Sequence, residues 1–121
     1  MNIVPATVTQ LTAAEAAGHL VAALPRLSRD AALLVLALCW VETGRGKAIQ
    51  WNPGMVTAAE NYQGYAWRPP WYEDRGDLTP RMRTLHELML KGKAPKAFRA
   101  YQSASEGFKD WAAVLTKRYQ N

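Results

Sequence analysis

Ala31-Ala32-Leu33-Leu34-Val35-Leu36-Ala37-Leu38-Cys39-Trp40-Val41-Glu42-Thr43-Gly44 decides how the chain is read, because eleven consecutive apolar residues end on a carboxylate and a glycine. Ser28 is placed to cap a helix here, and Asp30 stands near the positive end of its dipole. A helix that is apolar on every side is expected to be covered on every side, so this one reads as the core pillar of a small helical domain. The apolar run is about half of the roughly 20 residues needed to cross a bilayer, so no membrane insertion is expected.

Three further helices are legible on either side. Thr12-Ala13-Ala14-Glu15 has capping-box spacing, in which hydroxyl and carboxylate each satisfy a free backbone N–H. It predicts a helix from Thr12 to Leu24, carrying Ala16, Ala17, Leu20, Val21 and Leu24 on one stripe and ended by Pro25. Thr79 followed by Pro80 opens a third helix with Met82, Leu85 and Met89 inward and a stop at Gly92. Ser103-Ala104-Ser105-Glu106 repeats the capping-box pattern ahead of Phe108, Trp111, Ala112, Leu115 and Tyr119 at helical spacing.

The chain has 121 residues, of which 49% are apolar and 21% charged, as in a globular protein of one domain spanning 1–121. A net charge of +5 favours an anionic partner without reaching the density of a polybasic tail. The single cysteine excludes an internal disulfide framework, so stability must come from packing. Met1 to Thr7 lacks the basic start and apolar stretch of a secretory signal, which leaves localisation open.

Between Gly44 and Asp77 the helical pattern stops, yet six of the twelve aromatic residues fall there: Trp51, Tyr62, Tyr65, Trp67, Trp71 and Tyr72. So much aromatic content argues against disorder and for a ligand cleft. Tyr65-Ala66-Trp67 and Trp71-Tyr72-Glu73 can pair as a short hairpin around Arg68-Pro69-Pro70. Neither His19 nor His86 has a partner at metal-ligand spacing, so no metal and no cofactor is expected. Cys39, among apolar neighbours, reads as structural.

Glu42 carries the chemistry. Burial at the end of an apolar helix and the negative end of its dipole both disfavour a charged carboxylate, so Glu42 is expected to hold its proton. A carboxylic acid that stays protonated is what glycosidic cleavage needs, because the leaving oxygen must gain a proton as the bond breaks. Read structurally, Glu42 is only the first solvated residue after a buried helix. The aromatic segment adds rings on which sugars stack and, in Gln50, Asn52, Glu60, Asn61, Gln63 and Glu73, partners for their hydroxyls.

Two segments resemble a known family. Ala37-Leu38-Cys39-Trp40-Val41-Glu42-Thr43-Gly44-Arg45-Gly46 is similar to the catalytic helix end of the bacterial glucosaminidases and related lysozyme-like peptidoglycan hydrolases. Phe98-Arg99-Ala100-Tyr101-Gln102-Ser103-Ala104-Ser105-Glu106-Gly107-Phe108-Lys109-Asp110-Trp111 is similar to the family's F-R-x-Y-x-S segment with its following D-Y or D-W. Trp51-Asn52-Pro53-Gly54 between them resembles its Asn-containing loop. The resemblance implies a mainly α, lysozyme-like fold with a long irregular aromatic-rich segment, Glu42 as general acid and Tyr101 lining the cleft.

The second carboxylate of the family has no clear counterpart. Glu60, Glu73, Asp74 and Asp77 are available; Glu73 is preferred for its place beside Trp71 and Tyr72, with Asp74 close behind. A substrate N-acetyl group, or a 6-hydroxyl in a lytic transglycosylase, can replace it. The expected function is cleavage of a β-1,4 bond in peptidoglycan glycan strands, with Trp51, Asn52, Trp67 and Tyr101 positioning sugars. The alternative is a non-catalytic glycan-binding or assembly module. A nucleic-acid partner is not expected, because the basic residues are scattered and acidic ones share the aromatic region. The partner that would deliver the protein to the wall is not specified by the sequence.

Overall fold

A computed structural model describes residues 1–119, the side chains of 118 and 119 excepted, so the predicted inward placement of Tyr119 lies outside the described residues. The elements in order are β1 (Asn2–Ile3), β2 (Val8–Gln10), α1 (Ala13–Ala23), α2 (Arg29–Glu42), β3 (Lys47–Ile49), β4 (Tyr65–Trp67), α3 (Pro80–Leu90), β5 (Phe98–Arg99) and α4 (Ala104–Tyr119). The expectation of a mainly α, lysozyme-like helical domain is corrected: 43% of the chain is helical and 13% is strand, in two small sheets, a small mixed α/β arrangement.

The helices begin where their caps are written. Thr12 accepts from the Glu15 N–H at 3.1 Å while the Glu15 carboxylate accepts from the Thr12 N–H at 3.0 Å. Ser28, Thr79 and Ser103 accept in the same way from Ala31, Met82 and Glu106, each at 3.2 Å. The Thr12 N–H bond holds the Glu15 carboxyl below its usual value of 4.5. A depressed carboxylate stabilises the fold above the unfolded value and ceases to do so as pH falls through the folded one. Thermal melts of wild type and Glu15→Ala should therefore differ at neutral pH and converge in acid; a gap unchanged by acidification would contradict the box.

The strands were not legible. The first sheet has the order β1-β4-β5, with β1 parallel to β4 in the register Asn2↔Tyr65 and β5 antiparallel to β4 with Trp67↔Phe98. The second is the antiparallel pair β2 and β3, with Thr9↔Ala48. Strands of two or three residues are too short to show alternation, and their partners are far away in sequence. The predicted hairpin is corrected too: Tyr65–Trp67 is a strand, but Trp71-Tyr72-Glu73 is not. Pro69 and Pro70 cannot donate to a ladder. The chain turns there instead, with the Tyr72 N–H on the Pro69 carbonyl at 3.0 Å and the Trp71 indole on Pro95 at 3.1 Å.

The central helix is α1, not α2. Alanine-rich and narrow, α1 packs against both α2 and α4, because small side chains let neighbouring axes approach. Leu11, Ala16, Leu20, Cys39, Phe108 and Trp111 form the heart of the main core. Complete burial of one such large side chain is worth about 1.5–3 kcal/mol. Of α2 only Cys39 is fully buried, while Leu33, Leu34, Leu38 and Val41 face outward. The core-pillar expectation fails because an apolar composition says that a surface seeks cover, not that this chain supplies it.

Burial pushes the Cys39 thiol up to about 11. An acid whose folded value is raised loses stability as pH climbs above its unfolded value near 9.0, levelling off past the folded one. Cys39 should resist thiol reagents in the native protein and react on unfolding. Chemical denaturation between pH 9 and 11 should show a steeper fall in stability for the wild type than for Cys39→Ala.

Candidate functional site

Glu42 is held in place by the way α2 ends. The Thr43 hydroxyl donates to the Cys39 carbonyl at 2.6 Å and accepts the Gly46 N–H at 3.0 Å, so the residue after Glu42 is tied to both sides of the reversal. Gly44, Arg45 and Gly46 have φ of 56°, 67° and 88°. Three left-handed residues in succession fold the chain back, and the Gly46 carbonyl then accepts from Leu11 at 2.7 Å. Glu42 is exposed, not buried as expected from its neighbours.

Beyond β3 the backbone is strained. Gln50 and Trp51 have φ of 48° and 54° between Ile49 and Asn52, whose backbone bond is 3.1 Å, and Met55 has φ of 51°. Non-glycine residues in this region persist only where their surroundings over-determine them. Asn52 does this here. It is 0% exposed, its amide donates to the Val56 and Arg99 carbonyls at 2.9 Å each, and its oxygen accepts the Val56 N–H at 2.9 Å. α4 seats on the same loop at two glycines: a Cβ on Gly107 would overlap the Trp51 carbonyl, and one on Gly54 the Trp111 indole.

These constraints shape a recess of about 330 Å³ whose wall includes Glu42, Met55, Thr57, Arg99, Trp111 and Leu115. Beside it Arg99 is fixed on three sides. Its Nη1 pairs with Asp110 at 2.9 Å, its Nε donates to the Thr57 carbonyl at 3.2 Å, and its guanidinium lies 4.6 Å from the centre of the Tyr62 ring. The Tyr101 hydroxyl donates to the same Asp110 oxygen. Burial and then the Asp110 carboxylate drive the Tyr101 phenol well above its usual range, so it stays a neutral donor. Burial works against the Arg99 charge, but Asp110 outweighs it and holds the guanidinium protonated.

The other sequence-predicted residues are dispersed. Glu73 lines a separate recess with Arg68, Pro69, Pro70, Tyr72 and Arg75, sharing no residue with that of Glu42. Trp67 is 4% exposed and stacks on Phe98 at 4.7 Å between ring centres. Trp51 packs against the main core, and Tyr101 reaches Asp110 while lining a smaller recess with Gln50 and Tyr65. Asn52 and Trp67 thus lie inside the fold instead of presenting surface to a sugar.

No family model, no characterised protein and no solved structure matches the chain. The site therefore rests on its own geometry. Arg99, Thr57 and Met55 were missed as site residues; Arg99 and Asp110 were visible only inside the Phe98–Trp111 segment that carried the second resemblance. The signal for Arg99 was its two-residue spacing from Tyr101, which lets both side chains meet one carboxylate. Among the described residues no three His, Cys, Asp or Glu side chains gather as a metal site, and no helix is long and apolar enough to cross a membrane.

Proposed function

We propose that the chain cleaves a β-1,4 bond in peptidoglycan glycan strands, with Glu42 as the proton donor. The observation that carries this reading is Glu42 on the rim of a recess whose other walls are Trp111, Leu115, Met55 and the fixed Arg99. A sugar seated there would cover the carboxyl from water. Glu42 then gives its proton to the glycosidic oxygen as the C–O bond breaks, and positive charge develops on the sugar.

Glu42 is the one carboxylate lining this recess among the described residues. Glu73 lines another, and Asp110 is engaged by Arg99 and Tyr101. That distribution favours a route needing no second protein carboxylate. The substrate's N-acetyl oxygen, or its 6-hydroxyl, attacks the anomeric carbon, and the ionised Glu42 recovers a proton from water or from that hydroxyl.

Mass spectrometry of purified sacculi after incubation with the protein tests this. New reducing ends mean hydrolysis, a 1,6-anhydro product means the 6-hydroxyl route, and each supports the proposal. The exposure of Glu42 favours a second reading, a glycan-binding module. Sacculus binding with no soluble product would establish that module and end the enzymatic proposal.

A further inference from the structure

The outer face of α2 has no partner in this chain. Among the described residues, ten large apolar side chains are exposed, and five of them, Leu27, Leu33, Leu34, Leu38 and Val41, lie on α2 or just before it. A contiguous patch of this kind marks a contact surface, whereas single exposed leucines do not. Leu34 is 73% and Val41 78% exposed.

The spacing of the patch says what shape covers it. Ala32, Val35, Leu36 and Cys39 face the core. A second stripe on α2, Ala31, Leu34, Leu38 and Val41, advances in steps of three, four and three residues. That repeat belongs to a helix lying lengthwise on another helix. Beside it, Leu24, Leu27, Leu34, Val35, Leu38 and Leu115 line a groove of about 350 Å³ between α2 and α4.

We infer that the occupant is a second copy of this chain, with the two α2 helices antiparallel about a two-fold axis. The stripe is complementary to itself in that arrangement: Leu34 meets Leu38 of the other copy, and Ala31 meets Val41, small against large. The charges agree. Asp30 stands at one end of the stripe and Arg45 just past the other, and among the described residues neither has an ion-pair partner. Antiparallel pairing brings Asp30 toward Arg45 of the other copy, whereas parallel pairing sets like against like. Antiparallel helix dipoles add to the preference. The inference is independent of the glycosidase reading, because it is read from mass and not from product.

Sedimentation velocity over a dilution series tests it. Wild type should pass from monomer to dimer with concentration. Leu34→Glu, at a position too exposed to matter for folding, should raise the dissociation constant more than about a hundredfold, because the dimer would bury an unpaired carboxylate. Leu90→Glu, on the similarly exposed α3 leucine at 70%, should change nothing. Asp30→Arg and Arg45→Asp should each weaken the dimer about tenfold, and the double variant should restore it.

A monomer at every concentration, a dimer indifferent to Leu34→Glu, or a double variant as weak as the singles would overturn the inference. So would a monomer that binds phosphatidylglycerol vesicles through Leu34, since the face would then belong to a lipid surface.

Discussion

Glu42→Gln should fold as wild type does and release soluble glycan fragments from sacculi about 10²–10⁴-fold more slowly, the range lost when a general acid is removed. At about 1.4 kcal/mol per tenfold, this is about 3–5 kcal/mol of barrier. Glutamine keeps the size and shape of the side chain but has no proton to give to the leaving oxygen. Because Glu42 is exposed and makes no ion pair among the described residues, its replacement should leave the melting temperature within a degree or two. The two measurements together separate chemistry from folding. Wild-type release by Glu42→Gln would remove Glu42 from the mechanism. Loss of release with an equal loss of stability would make it a structural residue.

The largest loss of stability is expected from Asn52→Asp. The two side chains have nearly the same volume, so no cavity or clash confuses the result. Asparagine supplies two N–H donors to the Val56 and Arg99 carbonyls; aspartate would turn a carboxylate toward both acceptors at a position with 0% exposure. An uncompensated buried charge costs about 3–5 kcal/mol. For a chain of this size that lowers Tm by about 10–20 °C near neutral pH.

Burial raises the folded pKa of the introduced acid above its unfolded value of about 3.9, so the penalty grows as pH rises above that value and shrinks in acid. Calorimetry at neutral and acid pH measures both. A variant that melts like wild type at neutral pH would mean that Asn52 faces water and is free to meet a ligand, contrary to its burial here.

Arg99 gives the site its fixed geometry. It belongs to a strand of two residues, yet it is held by a carboxylate from α4, a carbonyl from the extended segment at Thr57 and an aromatic ring at Tyr62. Three elements remote in sequence thus fix one guanidinium at the edge of the recess. A site assembled this way can be rigid although much of it comes from loops, because strain at Gln50, Trp51 and Met55 is opposed by the bonds of Asn52.

Every helix start was determined by the sequence itself, since Thr12, Ser28, Thr79 and Ser103 act on N–H groups three residues away and need nothing else. The position of Glu42 at a helix end is legible for the same reason. Tertiary structure alone decided the rest. Whether an apolar helix is covered depends on which neighbour reaches it, and the narrow α1 took the centre that the composition of α2 suggested for itself. Sequence could not distinguish a buried Asn52 from a surface one, because its partner Arg99 is remote in the chain and is brought there by its own N–H bond to the Val56 carbonyl. Short-range hydrogen bonds are written locally in the chain. Burial and convergence are properties of the packed whole.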